Sequence, residues 1–172
     1  MIVLREFAGR EVGPWLADVA RLRMTVFREF SYLYDGDYDY ERTYLETYMR
    51  SAHSQFVLAF DGVRVVGAST ALPLVDEVDA FRRPLREAGI DEREVYYFGE
   101  SVLLPEYRGH GLGGRFFDAR EGRARAHGRF RWTAFCAVQR DADDPRRPPG
   151  HRGNETLWLR RGYRRQPQLE AA

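Results

Sequence analysis

The stretch from Leu103 to Glu121, LLPEYRGHGLGGRFFDARE, places four glycines, Gly109, Gly111, Gly113 and Gly114, within six residues. A proline precedes them and a run with helical periodicity follows. Glycine weakens a helix by about 1 kcal/mol per residue against alanine, so a first turn this poor in side chains needs another reason. Bare amides at a helix N-terminus supply one, because they form an anion site to which the helix dipole adds a favourable field. Upstream, EVYYFGESVLL at 94–104 has the content of a strand and enters the glycines through Pro105. The chain must pass from strand to helix here over unobstructed backbone.

The flanking elements narrow the topology. IVLREF at 2–7 alternates as a strand, and Trp15, Leu16, Val19, Leu22, Val26 and Phe27 recur at helical spacing between Glu11 and Phe30. SYLYDGDYDYE breaks that pattern with loop chemistry, and YERTYLETYMR at 40–50 resumes it. QFVLAFDGVRVVGASTAL holds two β-rich runs around Asp61-Gly62, the dipeptide a type I′ hairpin prefers. VDEVDAFRRPLREAG reads as a helix that Pro84 kinks or delays. Past the glycines, Leu112, Phe116 and Ala119 share a helical face that Gly128 closes. FRWTAFCAV at 130–138 reads as a strand, 139–153 as a Pro/Gly/charged loop, and NETLWLRRGY as a short helix ending at Gly162. An antiparallel hairpin combined with one strand–helix–strand crossover gives a mixed sheet, unlike a doubly wound nucleotide fold.

Composition removes several classes. The 172 residues suit one domain, 1–172, and a net charge of +1 argues against general nucleic-acid binding. No apolar run or signal-peptide pattern points to a membrane, and a cytoplasmic location is expected. All 27 residues counted as Lys or Arg are arginine, which excludes a Walker A lysine and a Schiff-base lysine. Cys136, the single cysteine, lies in the apolar run at 130–138 and is expected to pack there rather than react. His53, His110, His127 and His151 lack metal spacing, so no metal is expected. Gly99-Glu100-Ser101 begins like G-x-S-x-G, but Leu103 replaces the last glycine.

Three readings of the glycine loop compete. It could be a glycine-rich helix start without a ligand. Gly109-x-Gly111-x-x-Gly114 also matches the dinucleotide pattern, yet the neighbourhood about 20 positions on, WTAFCAV, holds no acid before Asp141 to bind a ribose. The third rests on a resemblance. Arg108-Gly109-His110-Gly111-Leu112-Gly113, preceded by Pro105-Glu106-Tyr107, resembles the acyl-CoA pyrophosphate loop, (Gln/Arg)-x-x-Gly-x-(Gly/Ala), of the GNAT family of N-acetyltransferases. LWLRRGY is similar to that family's closing FYEKLGF, and the likeness spans nearly the whole chain.

The resemblance implies an α/β (mixed α+β) fold: a central mixed sheet of about six strands flanked by helices, with shortened C-terminal strands. It implies acetyl-CoA as acyl donor and direct attack by a primary amine, small-molecule or peptide. The pyrophosphate would lie on Arg108, Gly109, His110, Gly111, Leu112 and Gly113, with Gly114 and Arg115 just inside the helix. The strand edge at Val102, Leu103 and Leu104 would meet the pantetheine amides. Glu100, on the strand feeding the loop, is the candidate base, with a structural salt bridge as the competing role. Trp158 stands where the family often places its acidic tyrosine, and indole has no phenolic proton; nearby Tyr163 is then the candidate acid, although it occupies a position that is usually packed.

The acceptor side of the family is built from the first two helices and their loop. Here that loop offers Tyr32, Tyr34, Asp35 and Asp37, acids beside aromatics that suit a cationic amine and equally a solvated loop over packed tyrosines. After Tyr163 only RRQPQLEAA remains, enough for one short strand, which Pro167 limits. That leaves an exposed strand edge near 130–138, so a homodimer is expected. A non-catalytic module that binds acetyl-CoA or CoA is the alternative function.

Overall fold

The computed structural model describes residues 1–171. Among them one sheet runs in the order β1 (Ile2–Phe7), β2 (Gln55–Asp61), β3 (Arg64–Pro73), β4 (Val95–Leu103), β5 (Trp132–Ala134). The first four strands pair antiparallel and β5 joins β4 parallel. The count is five rather than about six, because the tail after Tyr163 forms no strand among the described residues. β5 also keeps only three residues of the nine expected at 130–138. Cys136 therefore lies beyond the strand, exposed instead of packed within it.

A 3-10 turn over Gly9–Trp15, with Pro14 inside it, precedes α1 (Leu16–Phe27), so the helix proper starts later than periodicity suggested. α2 (Tyr38–Arg50) packs beside α1, and both lie on the face of the sheet where Thr70 and Glu100 project. α3 (Asp79–Glu87) continues through Pro84, and Phe81 stacks on Tyr97 of β4 at 5.5 Å. α4 (Leu112–His127) covers the opposite face, where Phe116 lies against Gly67. α5 (Glu155–Arg160) is short. No helix among the described residues is long and apolar enough to cross a membrane.

The β2–β3 hairpin turns on Gly62 and Val63 with Asp61 facing Arg64. Only Gly62 has positive φ, at +59°, which is the II′ pattern rather than I′. The Tyr107 hydroxyl donates to Asp61 at 2.7 Å, tying the hairpin end to the short turn Pro105–Tyr107 that opens the glycine loop.

Two features of β4 position everything that follows. Its parallel pairing with β5 covers only Val95–Tyr97, so on that side the edge from Phe98 to Leu103 is open. On the other side its register with β3 shifts: Ser69 faces Ser101 but Ala71 faces Phe98, so Thr70 opposes both Gly99 and Glu100. This is a β-bulge, which bends the strand and re-aims its side chains. A Cβ at Gly99 would collide with Tyr48 Oη and Thr70 Oγ1, both buried. Gly99→Ala is expected to cost at least about 2 kcal/mol through overpacking. A urea midpoint unchanged from wild type would show that the bulge tolerates a side chain.

Candidate functional site

Glu100 sits at the bulge and is only 7% exposed. Its Oε2 accepts from Thr70 Oγ1 at 3.1 Å, and Thr70 Oγ1 in turn accepts from the Glu100 N–H at 3.3 Å. Its Oε1 lies against Arg23 Nη1 of α1 without a well-aligned hydrogen bond. Arg23 Nε donates to Glu41 of α2, which is 1% exposed and leaves its own Oε1 without a partner. Burial alone would lower the Arg23 guanidinium, but Glu100 and Glu41 beside it hold it well above its ordinary value. Two carboxylates thus flank one guanidinium on this face of the sheet.

Aromatic rings surround this cluster. Arg23 lies 4.8 Å from the centroids of Phe27 and Tyr44. Tyr32 packs on Phe27 at 4.4 Å, and its phenol is pushed up by burial and by Glu100. Tyr48 and Tyr44 both donate to Glu77, buried behind the bulge, the latter at 3.4 Å. Tyr97, buried, has its phenol raised by burial and by Cys136.

The loop beyond β4 is open where a ligand would need it. Gly109 and Gly111 have φ of +81° and +79°, and a Cβ on either would meet nothing within 4 Å. Glycine is required there by backbone conformation, with free space above it. A Cβ on Gly113 would touch Leu157 of α5 at 3.6 Å, while Gly114 faces open space. Leu112 is buried, and His110 and Arg115 are exposed. Arg108 turns away from the loop amides: its Nε donates to the Leu103 carbonyl at 3.0 Å and its Nη1 pairs with Glu29 at 2.8 Å. It clamps the end of β4 to the end of α1.

Alternation along β4 sorts its backbone groups. The Leu104 N–H reaches the Val66 carbonyl at 3.0 Å, so Leu104, Val102 and Glu100 turn their backbone to β3. Ser101 and Leu103 face the open edge. Of Val102, Leu103 and Leu104, only Leu103 presents backbone groups to the gap, and Arg108 already uses its carbonyl.

Other expected residues have different occupations. Tyr163 packs among Phe98, Phe117 and Phe135, and its hydroxyl donates to Glu121 at 3.1 Å while accepting from Thr133 at 3.0 Å. Its phenol is pushed up to about 12, chiefly by burial. Trp158 packs on Phe135 at 5.1 Å. Asp37 caps α2, accepting from the Tyr40 N–H at 3.0 Å, and Asp35 pairs with Arg28 at the surface. Tyr34 is exposed beside Gly36. From the other side, Arg140 donates to the carbonyls of Ser31 and Tyr32 at 2.8 Å each, strapping the 139–153 loop to the α1–α2 loop.

Arg23, Thr70, Glu77 and Arg120 escaped the sequence reading, and Glu41 stood only among the acids offered to a cationic amine, without its burial. For the helical residues among them a signal existed. Arg23 lies in the stripe of Val19, Leu22 and Val26, Glu41 in that of Leu45 and Tyr48, and Arg120 in that of Phe116 and Ala124. A charge at a core-facing position marks a buried pair or network.

Two outcomes test these assignments. Asp37→Ala should lower stability by about 1 kcal/mol through loss of the cap and leave amine recognition intact; a selective change in amine KM would return Asp37 to the substrate side. Burial holds the Glu77 carboxyl above the usual range, partly offset by its bonds from Tyr48 and Val78. A folded-state value above the unfolded one gives stability that is intact in acid and lost as pH rises through the folded value. Glu77→Gln should therefore gain on wild type as pH rises above the ordinary glutamate value of about 4, read from urea midpoints; a difference flat in pH would refute it.

Residues 16–148 match the model of the acetyltransferase (GNAT) family. No curated protein matches the sequence. Solved structures of similar fold include an aminoglycoside N-acetyltransferase, AAC(6')-Iy, in complex with CoA, at 15% identity and TM-score 0.64 over 96% of this chain and 89% of that one. The same enzyme in complex with a bisubstrate analogue, CoA-S-monomethyl-acetylneamine, aligns at 15% identity and TM-score 0.62 over 100% and 95%. A possible acetyltransferase from Clostridium difficile 630 aligns at 11% identity and TM-score 0.62 over 96% and 93%. Identities this low speak for the fold, and the family match speaks for descent. The chain belongs to the GNAT acetyltransferase family.

Proposed function

We propose that the chain is an N-acetyltransferase that moves an acetyl group from acetyl-CoA to a primary amine by direct attack. The observation that carries this reading is the juxtaposition at the end of β4. A buried carboxylate on a bulge lies beside an open strand edge, which runs into a helix N-terminus with unobstructed glycines.

The residues present fit the donor. Gly109, Gly111, Gly113 and Gly114 leave the first turn of α4 bare for a pyrophosphate, with Arg115 exposed beside them. Leu103 offers an edge amide to an extended amide-bearing arm. Acetyl-CoA supplies the acetyl group as an activated thioester. Glu100, paired with Arg23 beside Glu41, meets the acceptor ammonium and receives its proton directly or through water. Tyr32 and Tyr44 form aromatic walls for a cation. Tyr163 keeps its proton for Glu121, so delivery of a proton to the departing sulfur falls to water.

That same engagement of Tyr163, with Trp158 packed, favours a second reading as a CoA-binding module without turnover. CoA release over a panel of amines separates the two. Several fold neighbours are aminoglycoside acetyltransferases, one in complex with sisomicin, so aminoglycosides head the panel, followed by small polyamines and peptides. Glu100→Gln should lower kcat/KM by about 100-fold with little change in acetyl-CoA affinity. An acetyl-CoA thermal shift without turnover on any amine supports the binding module instead.

Gly111→Val should abolish that thermal shift, since valine at φ near +79° is strained and its side chain would occupy the open space. Retention of the full shift would exclude the loop as the phosphate site.

A further inference from the structure

Arg120 projects from α4 onto the back of the bulge and is 2% exposed. Its guanidinium lies 4.4 Å from the centroid of Phe98 and 4.8 Å from that of Phe117. Nη1 donates to the carbonyls of Thr70 and Glu100, at 3.3 Å each. Nη2 donates to Ser101 Oγ at 2.8 Å, and Nε to the Phe116 carbonyl at 3.3 Å. None of these partners is a carboxylate. Burial pulls the group down to about 10, still charged at neutral pH.

Stability alone does not call for this arrangement. A buried ion without a contacting counter-ion costs several kcal/mol, and Phe116 and Ala124 on the same stripe show that an apolar side chain packs there. What the guanidinium does is specific to the bulge. The Glu100 N–H is given to Thr70 Oγ1, and the facing carbonyls of Thr70 and Glu100 both turn to Arg120. A trans peptide points its C=O and N–H in opposite directions. The carbonyl that Arg120 holds therefore belongs to the peptide whose N–H, on Ser101, faces the open edge between β4 and β5.

We propose that Arg120 is a positioning residue for acyl transfer: it fixes and polarises the Glu100–Ser101 peptide, so that the Ser101 N–H is a preset donor in the gap. The inference rests on the acetyltransferase reading. A charge-assisted bond to a carbonyl strengthens donation by the N–H of the same peptide. A donor fixed before reaction stabilises negative charge developing on an acyl oxygen without reorganisation. Glu100 is thereby held from both faces, its carboxylate by Arg23 and its carbonyl by Arg120.

The test compares wild type with Arg120→Met, Arg120→Lys and Ser101→Ala. The Ser101 amide proton is followed by NMR in the free protein, acetyl-CoA affinity by calorimetry, and kcat and KM on an accepted amine. Arg120→Met should move the Ser101 amide upfield and lower kcat by about 100-fold, with the acetyl-CoA Kd within about threefold. Arg120→Lys, which keeps the charge but not the fork, should recover part of both; Ser101→Ala, which leaves Arg120 buried, should shift the amide less. Should Arg120→Met fail to fold, the lysine and alanine variants carry the comparison. An unmoved Ser101 amide in a folded variant, or an unchanged kcat, overturns the proposal and leaves acyl transfer standing. Parallel loss of affinity and kcat does the same, since it marks general damage. Wild type without turnover on any amine overturns the acetyltransferase reading itself, and this role with it.

Discussion

The extra residue in β4 opposite Thr70 is the constraint on which the rest depends. In a regular ladder, Glu100 would take its place among core side chains of one face. The bulge instead sets its carboxylate against Arg23 and its carbonyl against Arg120, with Gly99 stripped of a side chain so that Tyr48 and Thr70 can close around it. Helices from both faces thus converge on one peptide group. α1 and α2 bring charge and aromatic rings; α4 brings the cation on one of its inner turns and the bare glycines at its first. The strand that separates them is also the one whose outer edge is open.

This convergence explains why the polar residues of the centre are so poorly exposed. Unpaired, any of Arg23, Glu41, Glu100 or Arg120 would destabilise the core severely. Each is tolerated because another element supplies its partner, so the packing of α1, α2 and α4 on the sheet and the integrity of the site are one problem. Glu77, holding Tyr44 and Tyr48 behind the bulge, extends the same logic a layer outward.

Much of the frame was legible in the sequence because its signals are local. The Asp61-Gly62 turn, the strand entering Pro105, the glycines before α4 and the Gly128 stop depend on residues close in the chain. Glu100 was singled out because its strand leads into the loop. The bulge was not found, since a register shift is a relation between β3 and β4 that neither strand shows alone. Arg108 and Asp37 have partners that the sequence did not show, for a related reason. A motif arginine and a loop aspartate are assigned by type, whereas a carbonyl at Leu103, a carboxylate at Glu29 and an amide at Tyr40 claimed them first. β5 fell short because an apolar run specifies a strand only while a neighbour pairs with it, and β4 pairs no further than Tyr97.

The cations that grip Glu100 are both guanidinium groups, and this bears on the chemistry beside them. On the acetyltransferase reading, a lysine at position 23 would place a primary amine beside the thioester, where loss of its proton would make it a rival nucleophile. Arginine keeps its proton throughout the working pH range and does not attack. With no lysine anywhere in the sequence, these residues carry no side-chain amine at all. On the acetyltransferase reading, such a site is kept clear of rival amines from its own side chains.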